Sequence, residues 1–341
     1  KILNNNILIK DNNVVFYDHK GSIFLYSLKT KKKILNYNFY KTEYKNYNKE
    51  IALVIENDII YAADNIGYMY AINVKKKQIV WAKNFGIPFR SNIKIVEDQI
   101  ILANQDNIIY SINKFNGVIN WQFATSLQFL KSNFRSSIIT EYVNNSIIFL
   151  NTNGELYSFD YKNQRINWVL NFKSSLLTLE TQVFEGAPLI TDDNNIITTD
   201  GKNTFNIDAI SGASTWKHPI PLKIKPIINN GNIFLVSKNN YLMCLNLIDG
   251  SIKWSRNIKN QVTNTDIKKL NSKVGLVKSL ILANSKILLF SDNGYLLSFD
   301  YKNGDLIEVN KILKKGLGST PALSEGTIYV FDKKYKLYSL E

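Results

Sequence analysis

The chain has 341 residues, 45% of them hydrophobic and 21% charged, with a formal net charge of +14. That is enough apolar material for a large core, and no apolar run reaches the ~18–20 residues a membrane-spanning helix needs. One cysteine, Cys244, excludes an intramolecular disulfide, and two histidines, His19 and His218, give no basis for a histidine-built metal site. The lysines are spread along the chain among many Asn, Ile and Tyr, as in proteins from AT-rich genomes. Lys31-Lys32-Lys33 and Lys75-Lys76-Lys77 fall where turns are expected and read as solvated turns, with a polyanion site as the alternative.

In chain order the same strand pattern recurs. Its second copy shows it plainly: IALVIE, IIYAAD, YMYAINV and QIVWAKNF, all short, β-branched and aromatic-rich. Turns separate the second and third segments, as in DNIG, NTNG and SDNG, and KFNG, LIDG and YKNG join the third to the fourth. All five tryptophans obey one register. Eleven residues before each stand Tyr70, Tyr110, Tyr157, Phe205 and Met243. Three residues after those stand Asn73, Asn113, Asp160, Asp208 and Asn246. Gly117, Gly212 and Gly250 lie four before their tryptophans, whereas Lys77 and Gln164 break that rule. Copies marked by Tyr26, Leu297 and Tyr338 lack the tryptophan, and marker spacings run from 38 to 54 residues, near the ~40–50 of propeller blades.

These patterns predict an all-β chain without helices: an eight-bladed β-propeller of four-stranded antiparallel blades. The whole chain, 1–341, reads as one domain, with blades at about 7–40, 51–86, 92–125, 136–173, 186–219, 223–258, 276–313 and 319–341. The last copy ends after its third strand, so the fourth is expected from the N-terminal segment, at Lys1-Ile2-Leu3 or upstream. The chain opens without an initiator Met, and a processed or trimmed chain is expected.

Trp81, Trp121, Trp168, Trp216 and Trp254 fall on the outermost strands and are expected to dock on neighbouring blades rather than stack on a ligand. Each buries ~150–250 Å² when enclosed. Long connectors occur only between the fourth strand of one blade and the first of the next. They span residues 40–49, 125–135, 173–186, 258–274 and 310–318, all on one face. TSLQFLKSNFR carries Leu127, Phe129, Leu130, Lys131, Phe134 and Arg135, and the next long connector adds Leu177 and Leu179. Apolar anchors rimmed by Lys and Arg make this the candidate partner-binding surface; the alternative is that they cover the propeller's own face. His218, in KHPIP, is expected in a surface connector.

The pattern Asn/Asp-Gly-x-Leu-Tyr-x-Leu/Phe-Asp followed by Gly-x-x-x-Trp resembles the PQQ-like, quinoprotein-type propeller repeat, and NTNGELYSFDYKNQRINW (Asn151–Trp168) is near its consensus. WD40 repeats differ, because they end in Trp-Asp. Within that superfamily, IFLVSKNNYLMCLNLIDGSIKW, GIPFRSNIKIVEDQIILANQDNIIYSIN and STPALSEGTIYVFDKKYKLYSL resemble blades of the BamB family of outer-membrane assembly lipoproteins, alphaproteobacterial type. The resemblance covers essentially the whole chain. It implies a non-catalytic, monomeric scaffold of the β-barrel assembly (BAM) complex. Such a scaffold is periplasmic, is tied to the outer membrane of a Gram-negative bacterium by an N-terminal lipid, and docks on the POTRA domains of the barrel-inserting subunit. No nucleic-acid partner is implied. The lipid-bearing cysteine is not in this chain.

The enzymatic relatives in the superfamily use a quinone, a carboxylate-held metal ion and a catalytic Asp. Asp160, Asp208 and Asp300 recur at one repeat position and read as turn formers, so no catalytic, cofactor or metal residue is assigned. Two further readings stay open: a quinoprotein-like dehydrogenase, and a propeller module binding a sugar or polyanion.

Overall fold

A computed structural model describes residues 5–40, 44, 46–126, 135–141, 145–172, 184–192, 194–263 and 270–340. Among them are eight antiparallel sheets in chain order. We label the strands of each blade a to d. In the second blade these are Ile51–Glu56, Ile59–Asp64, Tyr68–Asn73 and Gln78–Asn84, each hydrogen-bonded to the next. The other blades span 8–38, 94–124, 137–171, 190–218, 227–257, 277–311 and 322–340. This is the repeat of an eight-bladed β-propeller.

The chain divides into two compact units, Lys1–Pro88 with Phe115–Gly117 and Asn260–Glu341, and Phe89–Lys114 with Val118–Lys259. The first holds blades 1, 2, 7 and 8, and the second blades 3 to 6 apart from one turn. Within each unit the core lies between successive blades, because both faces of an inner strand are covered. Ile147 and Phe149 of blade 4, with Phe159, pack on Ile101 and Ile109 of blade 3; Ile148, Leu150 and Leu156 face Ile196 and Ile207 of blade 5. Burial accordingly runs unbroken along strand b of blade 4, whereas strand d alternates or stays exposed.

Two local devices repeat. The first closes the b–c turn. A side-chain oxygen at the end of strand b accepts turn N–H groups, from Asp64 (Ile66, Gly67 and Tyr68, 2.8–2.9 Å) to Asn104, Asn151 and Asp332. Ser237 and Ser291 do the same with hydroxyls. The second device is the c–d turn, where one left-handed residue precedes a bulge. Gly117, Gly212 and Gly250 hold φ of 70–73°, and Lys77 and Gln164 adopt the same sign at 54° and 53°. The two exceptions to the glycine rule are thus exceptions in residue type only. The bulge on strand d falls three residues after that position in every four-stranded blade, opposite Ser158/Phe159 in blade 4 and Cys244/Leu245 in blade 6.

That bulge sets each tryptophan opposite the residue after its strand-c marker, pairing Trp168 with Ser158 and Trp216 with Asn206. Trp168 Nε1 donates to Ala209 O (3.0 Å) and its ring lies against Gly212 of the next blade. Trp216 Nε1 donates to Leu247 O (2.9 Å) and lies against Gly250. Trp81 lies against Gly117 in the same way. Trp121, whose next turn carries Gln164, stands 5.1 Å from Phe159. Trp254 is 6.2 Å from Phe234 of its own blade.

Three expectations are corrected or displaced. The chain is not free of helix: Ile258–Thr263 and Leu270–Val274 are helical within one connector. Ile258 and Val262, four residues apart, are both buried, but one turn is too short to show a period. His218 is not in a connector. It ends strand d of blade 5, with Nε2 buried and without a hydrogen-bond partner and its ring 5.3 Å from Trp216. At the closure, Lys1-Ile2-Leu3 lie outside the described residues. Asn5–Asn6 pair in parallel with Ser319–Thr320, ahead of a last blade that has three strands among the described residues. Ile7, Val14 and Phe331 form a small core there, with Phe16 4.8 Å from Phe331.

Candidate functional site

Because strands alternate, d–a connectors leave each blade on the side of its b–c turns. The partner-binding candidates Leu127, Phe129, Leu130, Lys131, Phe134, Leu177 and Leu179 lie outside the described residues. Of the set, Arg135 is described, and it is exposed. The described structure does show how the first of these connectors is rooted.

The root is a polar network between blades 3 and 4. Asn107 is fully buried at the b–c turn of blade 3. Its backbone oxygen accepts from Thr125 N (3.2 Å) and Oγ1 (2.9 Å), and its Nδ2 donates to Ser126 O (3.2 Å). Its Oδ1 accepts from Thr152 N and Oγ1 at 3.1 and 3.0 Å. One oxygen of Glu155 collects Asn151 Nδ2 (2.8 Å), Tyr157 OH (2.9 Å) and the Ser126 hydroxyl. Burial, with help from the Glu155 carboxylate, pushes the Tyr157 phenol up to about 12. Thr125 and Ser126, the described residues that begin the connector, are therefore fixed by both blades. Networks of this kind hold geometry well because each unmet member would cost ~1–3 kcal/mol.

A second connector is rooted differently. Lys49 is fully buried, with Nζ donating to Tyr47 O (2.6 Å) and Tyr44 O and standing 4.9 Å from the Tyr40 ring. Tyr40 OH donates to Asp64 Oδ2 (2.7 Å) and lies 3.5 Å from Tyr70 OH. Burial raises the Asp64 carboxyl and both phenols and lowers the Lys49 amine, the nearby Asp64 acting the other way on that amine. The Lys49 amine is taken up by connector carbonyls and the Tyr40 hydroxyl by Asp64, so the cluster reads as a clamp on the connector rather than as reactive machinery.

Sequence reasoning missed Asn107, Glu155, Lys49 and Asp64. A signal existed for the turn acceptors, because Asp18, Asp64, Asn104, Asn151 and Asp332 all stand at the end of strand b. Lys49 had none, since one lysine among 42 basic residues looks solvated. The recurring carboxylates after strand c are occupied locally. Asp160 Oδ1 accepts from Lys162 N and Asn163 N, and Asp208 Oδ1 from Ser211 N and Oγ. Among the described residues no group of three or more His, Cys, Asp or Glu could hold a metal ion.

A family model described as outer membrane protein assembly factor BamB matches residues 45–256. The chain is 19% identical over 300 residues to outer membrane protein assembly factor BamB of Moranella endobia, across 82% of this chain and 71% of that relative. It is 22% identical over 320 residues to a tetrathionate hydrolase of Acidithiobacillus ferrooxidans, across 88% of this chain and 57% of that one. Among solved structures, BamB from Moraxella catarrhalis superposes with a TM-score of 0.75 at 12% identity, over 98% of this chain and 95% of that chain. That likeness is one of fold.

Proposed function

The chain belongs to the family of outer membrane protein assembly factor BamB, and on that premise we propose that it is a non-catalytic scaffold of the outer-membrane β-barrel assembly complex. In this reading it is one propeller domain, works in the periplasm at the outer membrane and docks on POTRA domains of the barrel-inserting subunit. The observation that carries the reading is the contrast between blades that repeat one strand order and connectors that do not repeat. Asn107 and Glu155 hold the start of the 125–135 connector at fixed positions, which is how a rigid scaffold presents a binding loop. The five tryptophans belong to the scaffold in this reading: for Trp168 and Trp216, backbone carbonyls of the next blade take up the indole N–H.

The occupied turn carboxylates support a non-enzymatic role. The likeness to a tetrathionate hydrolase favours a second reading, in which the fold carries a reaction. Adding quinone and calcium and finding a protein-bound chromophore would favour that second reading. The test of the first is direct: replace Leu127, Phe129 and Arg135 together by Ala and measure binding to isolated POTRA domains. A loss of at least roughly tenfold is expected, since interface anchors carry ~1–2 kcal/mol or more each. Unchanged affinity in a folded variant overturns the assignment of this connector.

A further inference from the structure

Within the first compact unit, five lysines converge on one cavity of about 460 Å³. Lys273 lies in the last turn of the helix Leu270–Val274, Lys311 ends strand d of blade 7, Lys314 and Lys315 follow in its connector, and Lys333 lies in the b–c turn of blade 8. Asn293, Tyr295 and Gly316 complete the lining, which contains no carboxylate. Four other lysines, Lys75, Lys114, Lys162 and Lys238, pair with carboxylates on their surfaces. None of these five has such a partner among the described residues. Asp292 Oδ1, next to the lining, accepts from Leu276 N (2.8 Å).

The walls are built rather than loose. Leu313 is fully buried, and Gly316 N bonds back to Leu313 O (3.2 Å), so Lys314 and Lys315 sit on the tip of a closed turn. Gly316, at φ +79°, passes so close to blade 7 that a Cβ would stand 2.6 Å from Asp292 O. Asn293 Nδ2 holds Lys273 O (2.9 Å), tying the helix end to blade 7. Lys311 Nζ lies 5.3 Å from the centre of the Tyr295 ring, which places its charge over an aromatic face of the lining.

Five like charges lining one cavity repel one another, and the lining offers no carboxylate to offset them. We propose that this cavity is a binding site for a compact ligand bearing two phosphate groups, either free or as the headgroup of an amphiphile. Lysine ammonium groups bind phosphate oxygens as point charges with three donors each. Two phosphomonoesters carry roughly −3 to −4, which balances most of the five lysines. The volume lies within the ~300–1,000 Å³ of small-molecule sites. The site does not depend on the assembly role.

The experiment is titration calorimetry of the whole chain with fructose bisphosphate, fructose monophosphate and citrate, beside flotation with phosphatidylcholine vesicles with and without phosphatidylinositol bisphosphate. Binding of the bisphosphate sugar or the bisphosphate vesicles is expected, with the monophosphate weaker by roughly tenfold. Sugar binding marks a soluble source and vesicle binding alone a lipid headgroup. The triple variant Lys314→Gln, Lys315→Gln, Lys333→Gln should lose roughly tenfold or more. The control Lys31→Gln, Lys32→Gln, Lys33→Gln removes equal charge elsewhere and should bind like the parent. Absence of binding to both bisphosphate probes, equal losses in the two variants, or citrate binding as tightly as the bisphosphate each overturns the proposal.

Discussion

Gly250 and Gly231 sit in the same blade at nearly the same backbone angle, φ +70° and +68°, and differ in what surrounds them. A Cβ on Gly231 would meet nothing within 4 Å. One on Gly250 would stand 2.7 Å from His218 Nε2 and 2.8 Å from Trp216 Cδ2. The indole cannot readily yield, because its Nε1 is bonded to Leu247 O and the residue is 8% exposed. Gly231→Ala should therefore cost only the left-handed strain, about 1–2 kcal/mol. Gly250→Ala should add an overpacking cost of ~1–3 kcal/mol. Urea unfolding followed by far-ultraviolet circular dichroism reads both as midpoint shifts at constant slope. The double variant Gly250→Ala, Trp216→Ala should recover most of the added cost as a coupling of ~1–3 kcal/mol. If the two glycine variants agree within ~0.5 kcal/mol, the ring does not press on the turn and the docking account of Trp216 fails.

Two other outcomes follow from buried groups. The Asp64 carboxyl is raised, first by burial, so its contribution to stability is full below about pH 4 and is lost as pH rises through the raised value. Asp64→Asn should accordingly gain on the parent between pH 4 and pH 8 in parallel urea titrations, and a relative loss over that range would contradict the buried placement. Cys244 is 3% exposed and burial pushes its thiol up to about 11. Native protein at pH 8 should react with a chromogenic disulfide reagent at least ~100-fold more slowly than protein in denaturant, and matching rates would show an open thiol.

What the sequence reveals of this molecule is what the repeat repeats. Trp168 and Trp216 share one register because the bulge before Phe159 and Ile207 places each ring at the same point of its blade. Period and strand type follow from that spacing and are legible without coordinates. Lys77 and Gln164 are hidden by residue type, since they look like broken copies and yet hold the turn's positive φ. The strain of a left-handed non-glycine residue is ~1–2 kcal/mol, small enough for a packed blade to absorb. The short helix at Ile258–Thr263 escapes for a related reason: one turn carries no period.

The functional features escape for a different reason, because they lie between copies rather than within one. Asn107 acts on Thr152, 45 positions away, and Lys273 from a connector meets Lys333 from the b–c turn of blade 8 at one cavity. Nothing in the spacing of either pair marks them, since each residue on its own is an ordinary turn asparagine or surface lysine. A blade can repeat its internal contacts, but a ligand or partner needs one place that differs from the rest. In this chain those places fall on the d–a connectors and the b–c turns beside them. The length of the 310–318 connector points there, but only the fold brings Lys314 and Lys315 to the helix that ends at Val274. The experiment that separates pocket lysines from the Lys31–Lys33 run therefore asks which basic residues the fold has gathered, a question that net charge alone does not answer.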